Sequence, residues 1–325
     1  MGPEILRIGS RGSDLALWQA RKVKHDLEQH SPALRVVMEI IKTKGDKVLD
    51  VPLSGMGDKG LFTRELETAL LERKIDLAVH SLKDLPTQLP EGLMLGAVTE
   101  RENPLDVFIP HPKNTQRTLA QQPYGALVAT GSLRRSCQLR QFRDDLQIQE
   151  IRGNLDTRFR KLDASEWQGM ILARAGVVRL GWEERIGETI NPEIILPAVG
   201  QGALGVEIRS DDDKVAGVIG VLNHKATFNV TRAERSLLRT LEGGCQIPLG
   251  VFGRIAEAAG RKRLVLDAMV GSLDGKRVVR DRAEGDPDEA EGLGKALARQ
   301  LLSKGADRIL REIRGEPLDV KSAQQ

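Results

Sequence analysis

The chain has two cysteines among 325 residues, and one of them, Cys245, lies in the stretch Glu242-Gly243-Gly244-Cys245-Gln246-Ile247-Pro248. The run before it, Thr231 to Leu241, puts Ala233, Leu237 and Leu241 on one helical face, and either glycine supplies the left-handed residue that ends such a helix. Cys245 is therefore placed in a loop just past a helix C-terminus. That end of a helix carries partial negative charge, which disfavours a thiolate, so a repeatedly cycling nucleophile is not the natural inference. A thiol alkylated once and kept as an anchor fits better. A lone cysteine is more often a small half-buried hydrophobe, and the arginines elsewhere shift that balance.

Gly131-Ser132-Leu133-Arg134-Arg135 and Arg152-Gly153-Asn154-Leu155-Asp156-Thr157-Arg158 set at least four arginines at strand-to-helix junctions. These are anion-binding positions: a helix N-terminus presents unpaired N–H groups, and a guanidinium fork grips a carboxylate or phosphate with two parallel hydrogen bonds. Any one of these arginines is more often a solvated surface charge; the set together favours a site. Arg11 with Ser13, and Arg179 after Gly176, extend the same surface across a cleft between two units. No P-loop or complete dinucleotide fingerprint follows a strand, so several carboxylates suit the forks better than a phosphate. Lys83-Asp84 ends the buried-strand pattern Leu77-Ala78-Val79-His80, and Leu85-Pro86 follows, so Asp84 is expected outside a helix and facing the cleft. Among cations it is suited to hold charge opposite a cationic intermediate and to pass protons. Asp58-Lys59-Gly60 has the composition of a mobile lid. Cys137, on the helical face of Leu133, is assigned to the core.

Strand and helix alternate around these residues. Ile5 to Gly9 and Val36 to Ile41 read as strands, and a helix between them carries Ala16, Ala20, Val23 and Leu27 on one face with Ser13 as N-cap. Phe62 to Arg73 reads as a second helix. This pattern predicts a doubly wound sheet with ligands at the carboxyl ends of its strands. The proline-broken segment from Pro104 to Pro123 reads as a crossover into a second unit with strands at Ala126 to Ala129, Gln147 to Ile151 and Met170 to Ala173. Its strand, Gly-Ser turn and helix echo Ile8 to Ser13. The glycine-rich Pro197 to Gly205 is expected to return the chain to the first unit as a hinge. After Asn223 come the helix before Cys245, strands near Val251 to Ile255, Leu264 to Val270 and Arg277 to Asp281, a hairpin at Asp274-Gly275, and a helix from Ala290 to Leu302. The expected units are 1–102 with 200–221, 103–199, and 222–325.

Composition limits the function classes. At 40% hydrophobic and 29% charged the chain folds, and 49 basic against 46 acidic residues leave a net charge of only +3, so no global field calls for nucleic acid. Aromatics at 3% leave few platforms for stacking bases. Two cysteines outside a CxxC pair and five scattered histidines predict neither a disulfide framework nor a metal site. No apolar run reaches membrane-spanning length and the N-terminus lacks the pattern of a secretory signal, so a cytoplasmic protein with no membrane partner is expected.

In order along the chain, Arg7-Ile8-Gly9-Ser10-Arg11 with Ser13 to Ala16, Lys59-Gly60-Leu61-Phe62, Val79 to Pro86, Gly131 to Arg135, Arg152-Gly153-Asn154, Pro197 to Gly202 and Glu242 to Cys245 resemble the porphobilinogen deaminases, or hydroxymethylbilane synthases. The resemblance implies an α/β fold of two periplasmic-binding-protein-like lobes and a small C-terminal α+β domain. It implies a dipyrromethane cofactor held by a thioether to Cys245, on which four porphobilinogen molecules are joined head to tail with loss of ammonia before hydroxymethylbilane is hydrolysed off. By position it makes Asp84 the catalytic carboxylate. Lys83, Ser81, Thr130, Ser132, Arg134, Arg135, Arg152 and Arg158 fall on the cofactor side, and Arg11, Ser13, Lys59, Phe62, Arg179 and Gln201 on the substrate side. Gly55 stands where the family often has lysine, which puts a lid contact in doubt. A monomer is expected. The alternative is a bilobal carboxylate-binding protein without catalysis, which gives no role to the third unit or to Cys245.

Overall fold

The computed structural model describes residues 4–43, 63–241, 247–258 and 260–316. Lys59, Phe62, Gly55 and Cys245 lie outside them.

The chain begins with strand β1 (Glu4–Ser10), helix α1 (Asp14–His30), β2 (Leu34–Ile40), α2 (Arg64–Leu71), β3 (Leu77–Ser81) and β4 (Leu93–Val98). Next come β5 (Asp106–Pro110), β6 (Leu127–Ala129), α3 (Leu133–Phe142), β7 (Gln147–Gln149), α4 (Leu155–Asp163), β8 (Gly169–Ala173), α5 (Arg174–Arg179) and β9 (Glu188–Thr189). The chain then returns as β10 (Leu204–Arg209), followed by α6 (Asp213–Ile219) and α7 (Lys225–Thr240). A meander of β11 (Leu249–Ala258), β12 (Arg261–Gly271) and β13 (Val278–Gly285) precedes α8 (Ala290–Leu301) and α9 (Asp307–Arg314).

Two five-stranded sheets share one plan. The first runs β2-β1-β3-β10-β4 and the second β7-β6-β8-β5-β9. In each, two parallel neighbours flank the first strand, and one antiparallel strand is supplied by a crossover from the other half of the chain: β10 against β3, β5 against β8. The Gly-Ser turns after β1 and β6 thus occupy equivalent places, which accounts for the sequence echo. Each lobe has its own core: Leu6, Ile8, Val23 and Leu27 with β3 and β10 in the first, Val107, Ile109, Phe159 and Met170 in the second.

β5 corrects the reading of 104–123 as a plain crossover. Asp106–Pro110 is buried throughout; Pro104 lies two residues before the strand and Pro110 is its last residue, where a strand tolerates proline. The second helix starts at Arg64 rather than at Phe62, and α9 extends the C-terminal unit beyond Leu302.

The two crossovers touch each other. Glu102 N donates to Gly202 O at 3.1 Å, Arg101 Nε to Gln201 O at 2.7 Å, and Gln201 Nε2 to Pro104 O at 2.6 Å. Gly202, at φ +91°, could carry no side chain: a Cβ would stand 2.3 Å from Glu102 O. Helices α7 and α8 cover one face of the meander. Fully buried Glu234 on α7 accepts from Arg101 Nη1 (2.8 Å), Gly200 N (2.7 Å) and Gly253 N (2.9 Å), tying both crossovers to the third sheet. Cys137 on α3 is fully buried beside Leu196 and Met269, and burial pushes its thiol up to about 11.

Candidate active site

The buried strand β3 delivers its end to the space between the lobes. Leu82 to Asp84 form a single 3-10 turn, pinned by Leu82, which packs with Leu85, Val98 and Ala203. Pro86 forbids a longer helix. Asp84 is exposed beyond this anchor and Lys83 is half-buried. Ser81 Oγ accepts from buried Gln19 Nε2 at 2.7 Å, which fixes the strand end to α1.

The opposite wall is built by the second lobe. A Cβ on Gly131 would lie 2.5 Å from Ile151 O, so only glycine lets the turn after β6 pass beneath the next loop. Ser132 caps α3, its hydroxyl accepting from Arg135 N at 3.4 Å, and the Thr130 hydroxyl accepts from Ser132 N at 3.3 Å. Asn154 caps α4 by accepting from Thr157 N at 2.9 Å. Arg158 is held by its Nε on Gly153 O at 2.8 Å, and Arg152 pairs with Glu150.

Charge couples the two walls. Burial pushes Lys83 down to about 8; Asp84 opposes that shift, Arg135 and Arg134 add to it, and Asp106 opposes it. Burial likewise brings Arg158 down to about 10, with Arg135 and Arg152 adding and Asp84 opposing. The site therefore gathers Lys83 and Asp84 from one lobe with Arg134, Arg135, Arg152 and Arg158 from the other.

Sequence reasoning missed the residue that organises this cluster. Asp106, fully buried at the start of β5, accepts from Arg134 Nη1 (2.6 Å), Arg135 Nη2 (2.8 Å) and Gln201 Nε2 (2.9 Å). Burial alone would raise its pKa; the two guanidiniums overcome that and hold the carboxyl well below the usual range. Arg134 also donates to Leu196 O at 2.6 Å, and Arg135 to Ile171 O at 3.0 Å. Both arginines thus spend part of their forks inside the protein, while Arg135 Nε is buried without a partner. The only signal for Asp106 was an acid inside an otherwise apolar run.

The remaining candidates are dispersed. Ser13 occupies the N-cap position of α1 without a side-chain cap bond, and Arg11 precedes it, half-buried. Arg179 donates to Gly202 O at 2.6 Å and lies 5.6 Å from the Trp18 ring centroid. It lines a separate groove of about 630 Å³ with Trp18, Glu102 and His224. Its charge answers to burial and to Glu102 rather than to Asp84. Gln201 is buried; it braces the crossovers and reaches the cluster through Asp106, to which its Nε2 donates at 2.9 Å.

The donor set suits a polycarboxylate. Five cationic side chains, Lys83, Arg134, Arg135, Arg152 and Arg158, face three carboxylates, Asp84, Asp106 and Glu150, and three of the cations, Lys83, Arg134 and Arg158, are depressed by burial and by neighbouring arginines. Added acid groups relieve that excess. Among the described residues no group of three or more His, Cys, Asp or Glu is placed to hold a metal ion, and no helix is long and apolar enough to cross a membrane.

Residues 6–217 match the family model described as porphobilinogen deaminase, dipyromethane cofactor binding domain, and residues 228–303 match the porphobilinogen deaminase C-terminal domain. The chain belongs to the porphobilinogen deaminase family. Porphobilinogen deaminase of Prochlorococcus marinus (strain MIT 9303) is 53% identical over 95% of this chain and 96% of its own. That of Carboxydothermus hydrogenoformans is 51% identical over 97% and 98%, and that of Gloeobacter violaceus 50% over 94% and 93%. Among solved structures, the probable amino-acid ABC transporter extracellular-binding protein ytmK from Bacillus subtilis aligns with 67% of this chain and 90% of its own, at TM-score 0.40 and 11% identity. Family membership makes this protein an enzyme, a transferase of tetrapyrrole biosynthesis with dipyrromethane as cofactor. Its fold is the expected α/β one, two lobes each built on a mixed five-stranded sheet and a small C-terminal α+β domain.

Proposed function

We propose that the cleft joins four porphobilinogen molecules head to tail, with Asp84 as the catalytic carboxylate and the cations around it as grips for acetate and propionate groups. The observation that carries this reading is the coupling of Lys83, from one lobe, and Arg158, from the other, to the exposed carboxylate of Asp84. Bound dipyrromethane supplies the primer on which the units are joined. Lys83, Arg152 and Arg158 hold its acid groups, Thr130, Ser132 and Ser81 line the same ends of strands, and Arg134 and Arg135 contribute the N–H groups that Asp106 leaves unused. Asp84 stabilises the cation left on the substrate when ammonia departs and accepts hydrogen bonds from pyrrole N–H groups. Arg11, Ser13, Lys59, Phe62 and Arg179 serve incoming substrate and the growing chain. Gln201 acts there through the crossovers it braces and through Asp106. Cys245 is the thioether anchor. We place the domain boundaries at 1–102 with 200–221, 103–199, and 222–325, and we read the protein as a cytoplasmic monomer without nucleic-acid or membrane partners.

Two measurements test the reading. Intact mass of the purified protein is expected to exceed the sequence mass by a dipyrromethane, located in the peptide containing Cys245; active protein with that peptide unmodified would sink the anchor. Asp84→Asn is expected to keep fold and cofactor while losing at least ~100-fold in turnover, because a polar side chain remains but its charge does not. Undiminished turnover removes Asp84 from the chemistry.

A further inference from the structure

We infer that Arg235, on a helix of the C-terminal domain, is a positioning residue that sets the place of Asp84 in the first lobe. The inference rests on the catalytic reading of Asp84. Helix α7 packs on the third sheet, yet Arg235 is turned toward the loop that follows the 3-10 turn, where Nη1 donates to Leu85 O at 2.9 Å and Nη2 to Pro86 O at 2.6 Å. One turn later Arg239 Nη2 donates to Thr87 O at 3.3 Å. Three consecutive carbonyls after Asp84 are therefore held from another domain. From within the lobe, the same stretch is held by Leu85 N on Leu82 O, a longer bond of 3.3 Å.

The chemistry of the grip suits orientation more than cohesion. Arg235 is 7% exposed, and among the described residues no carboxylate forms an ion pair with it. Burial, with Arg239 adding and Glu207 opposing, brings its pKa down to about 10, so it remains charged at neutral pH. A buried cation without a counter-ion is a costly way to join two domains. A planar fork across two adjacent carbonyls, in contrast, fixes the direction of the peptide planes between them, and through these the bond leading back to Asp84. The molecule contains its own comparison. Arg280 makes the same two-carbonyl grip on Pro192 O (2.8 Å) and Glu193 O (2.9 Å), linking the third sheet to the second lobe, but it is exposed and no site residue adjoins it.

The helix that carries Arg235 ends at Thr240, five residues before Cys245. Through Arg235, the loop that carries Asp84 is tied to this helix of the C-terminal domain.

The test uses holoenzyme. Arg235→Gln is expected to lower kcat ~10- to 100-fold, the scale of a small misplacement of a reacting group, with KM nearly unchanged and the dipyrromethane mass still present. Arg280→Gln is expected to leave kcat near wild type. In the Asp84→Asn background, Arg235→Gln should cost nothing further, because a residue acting through Asp84 has nothing left to position. Arg235→Lys, able to serve one carbonyl, should fall between; it also keeps the question open to measurement if the glutamine variant does not fold. Additive losses in the double variant overturn the inference, as does a kcat unaffected in both Arg235 variants or lost only in step with the cofactor. Retained turnover in Asp84→Asn alone would instead overturn the role of Asp84, whatever Arg235 does.

Discussion

Lys83 carries a charge that the folded protein accommodates poorly without an anionic guest. Its pKa falls on folding to about 8 from the ordinary value of 10.5. Between those values the unfolded chain binds more protons than the folded one, so this group's contribution to stability improves as pH rises through that window, and below it the penalty is constant. Lys83→Met is therefore expected to raise the melting temperature of apoprotein at pH 7 by a few degrees while reducing dipyrromethane retention. A lowered melting temperature would show that the ammonium is compensated in the apoprotein. The buried Asp106 runs the other way: its depressed pKa stabilises the fold above the ordinary carboxylate range, and that stabilisation is lost in strong acid. Both residues belong to one site, but only Lys83 was legible in the sequence. It ends a buried-strand pattern, whereas Asp106 meets Arg134 and Arg135 across 28 and 29 positions that no local spacing encodes.

At the scale of elements, the Gly-Ser turn before α3 and the interior of α6 make a direct comparison. A Cβ at Gly131 meets a backbone carbonyl that cannot swing aside, whereas one at Gly217 meets nothing within 4 Å. Gly131→Ala should destabilise by about 1–3 kcal/mol and loosen the Ser132 cap. Gly217→Ala should stabilise by about 0.5–1 kcal/mol. Urea unfolding of the two variants measures both, and equal shifts would contradict the geometry. The turn was readable because glycine, a capping serine and a helical pattern follow one another over a few residues. Strand β5 was not, because it is buried on both faces and shows no alternation, and Pro104 and Pro110 suggest a break. The helix before Cys245 was found from its apolar face, but Arg235 on it looked like any polar position; its partners lie 149 and 150 residues away.

Across the whole molecule, Glu234 joins the two crossovers to the third sheet. Glu234→Ala leaves Arg101 without its carboxylate and two backbone N–H groups without an acceptor. A loss of about 3–5 kcal/mol is expected, and calorimetry should resolve separate melting of the lobes and the C-terminal domain. A single transition, unshifted, would deny Glu234 that role. The alternation of strand and helix gave away the two-lobed plan, since it follows from local periodicity. How the third unit grips the other two was not foreseeable, because it depends on side chains meeting between domains.

The depth at which Cys137 is buried has a practical corollary. With its sulfur sealed beneath Met269 and Leu196 and its thiol pushed up to about 11, it is closed to water-borne thiol reagents while the fold persists. If the second sulfur is permanently capped, the native protein titrates as though it had no cysteine, and denaturant releases one equivalent instead of two. The protein's own interior thus provides the internal standard against which occupancy of the tether is counted.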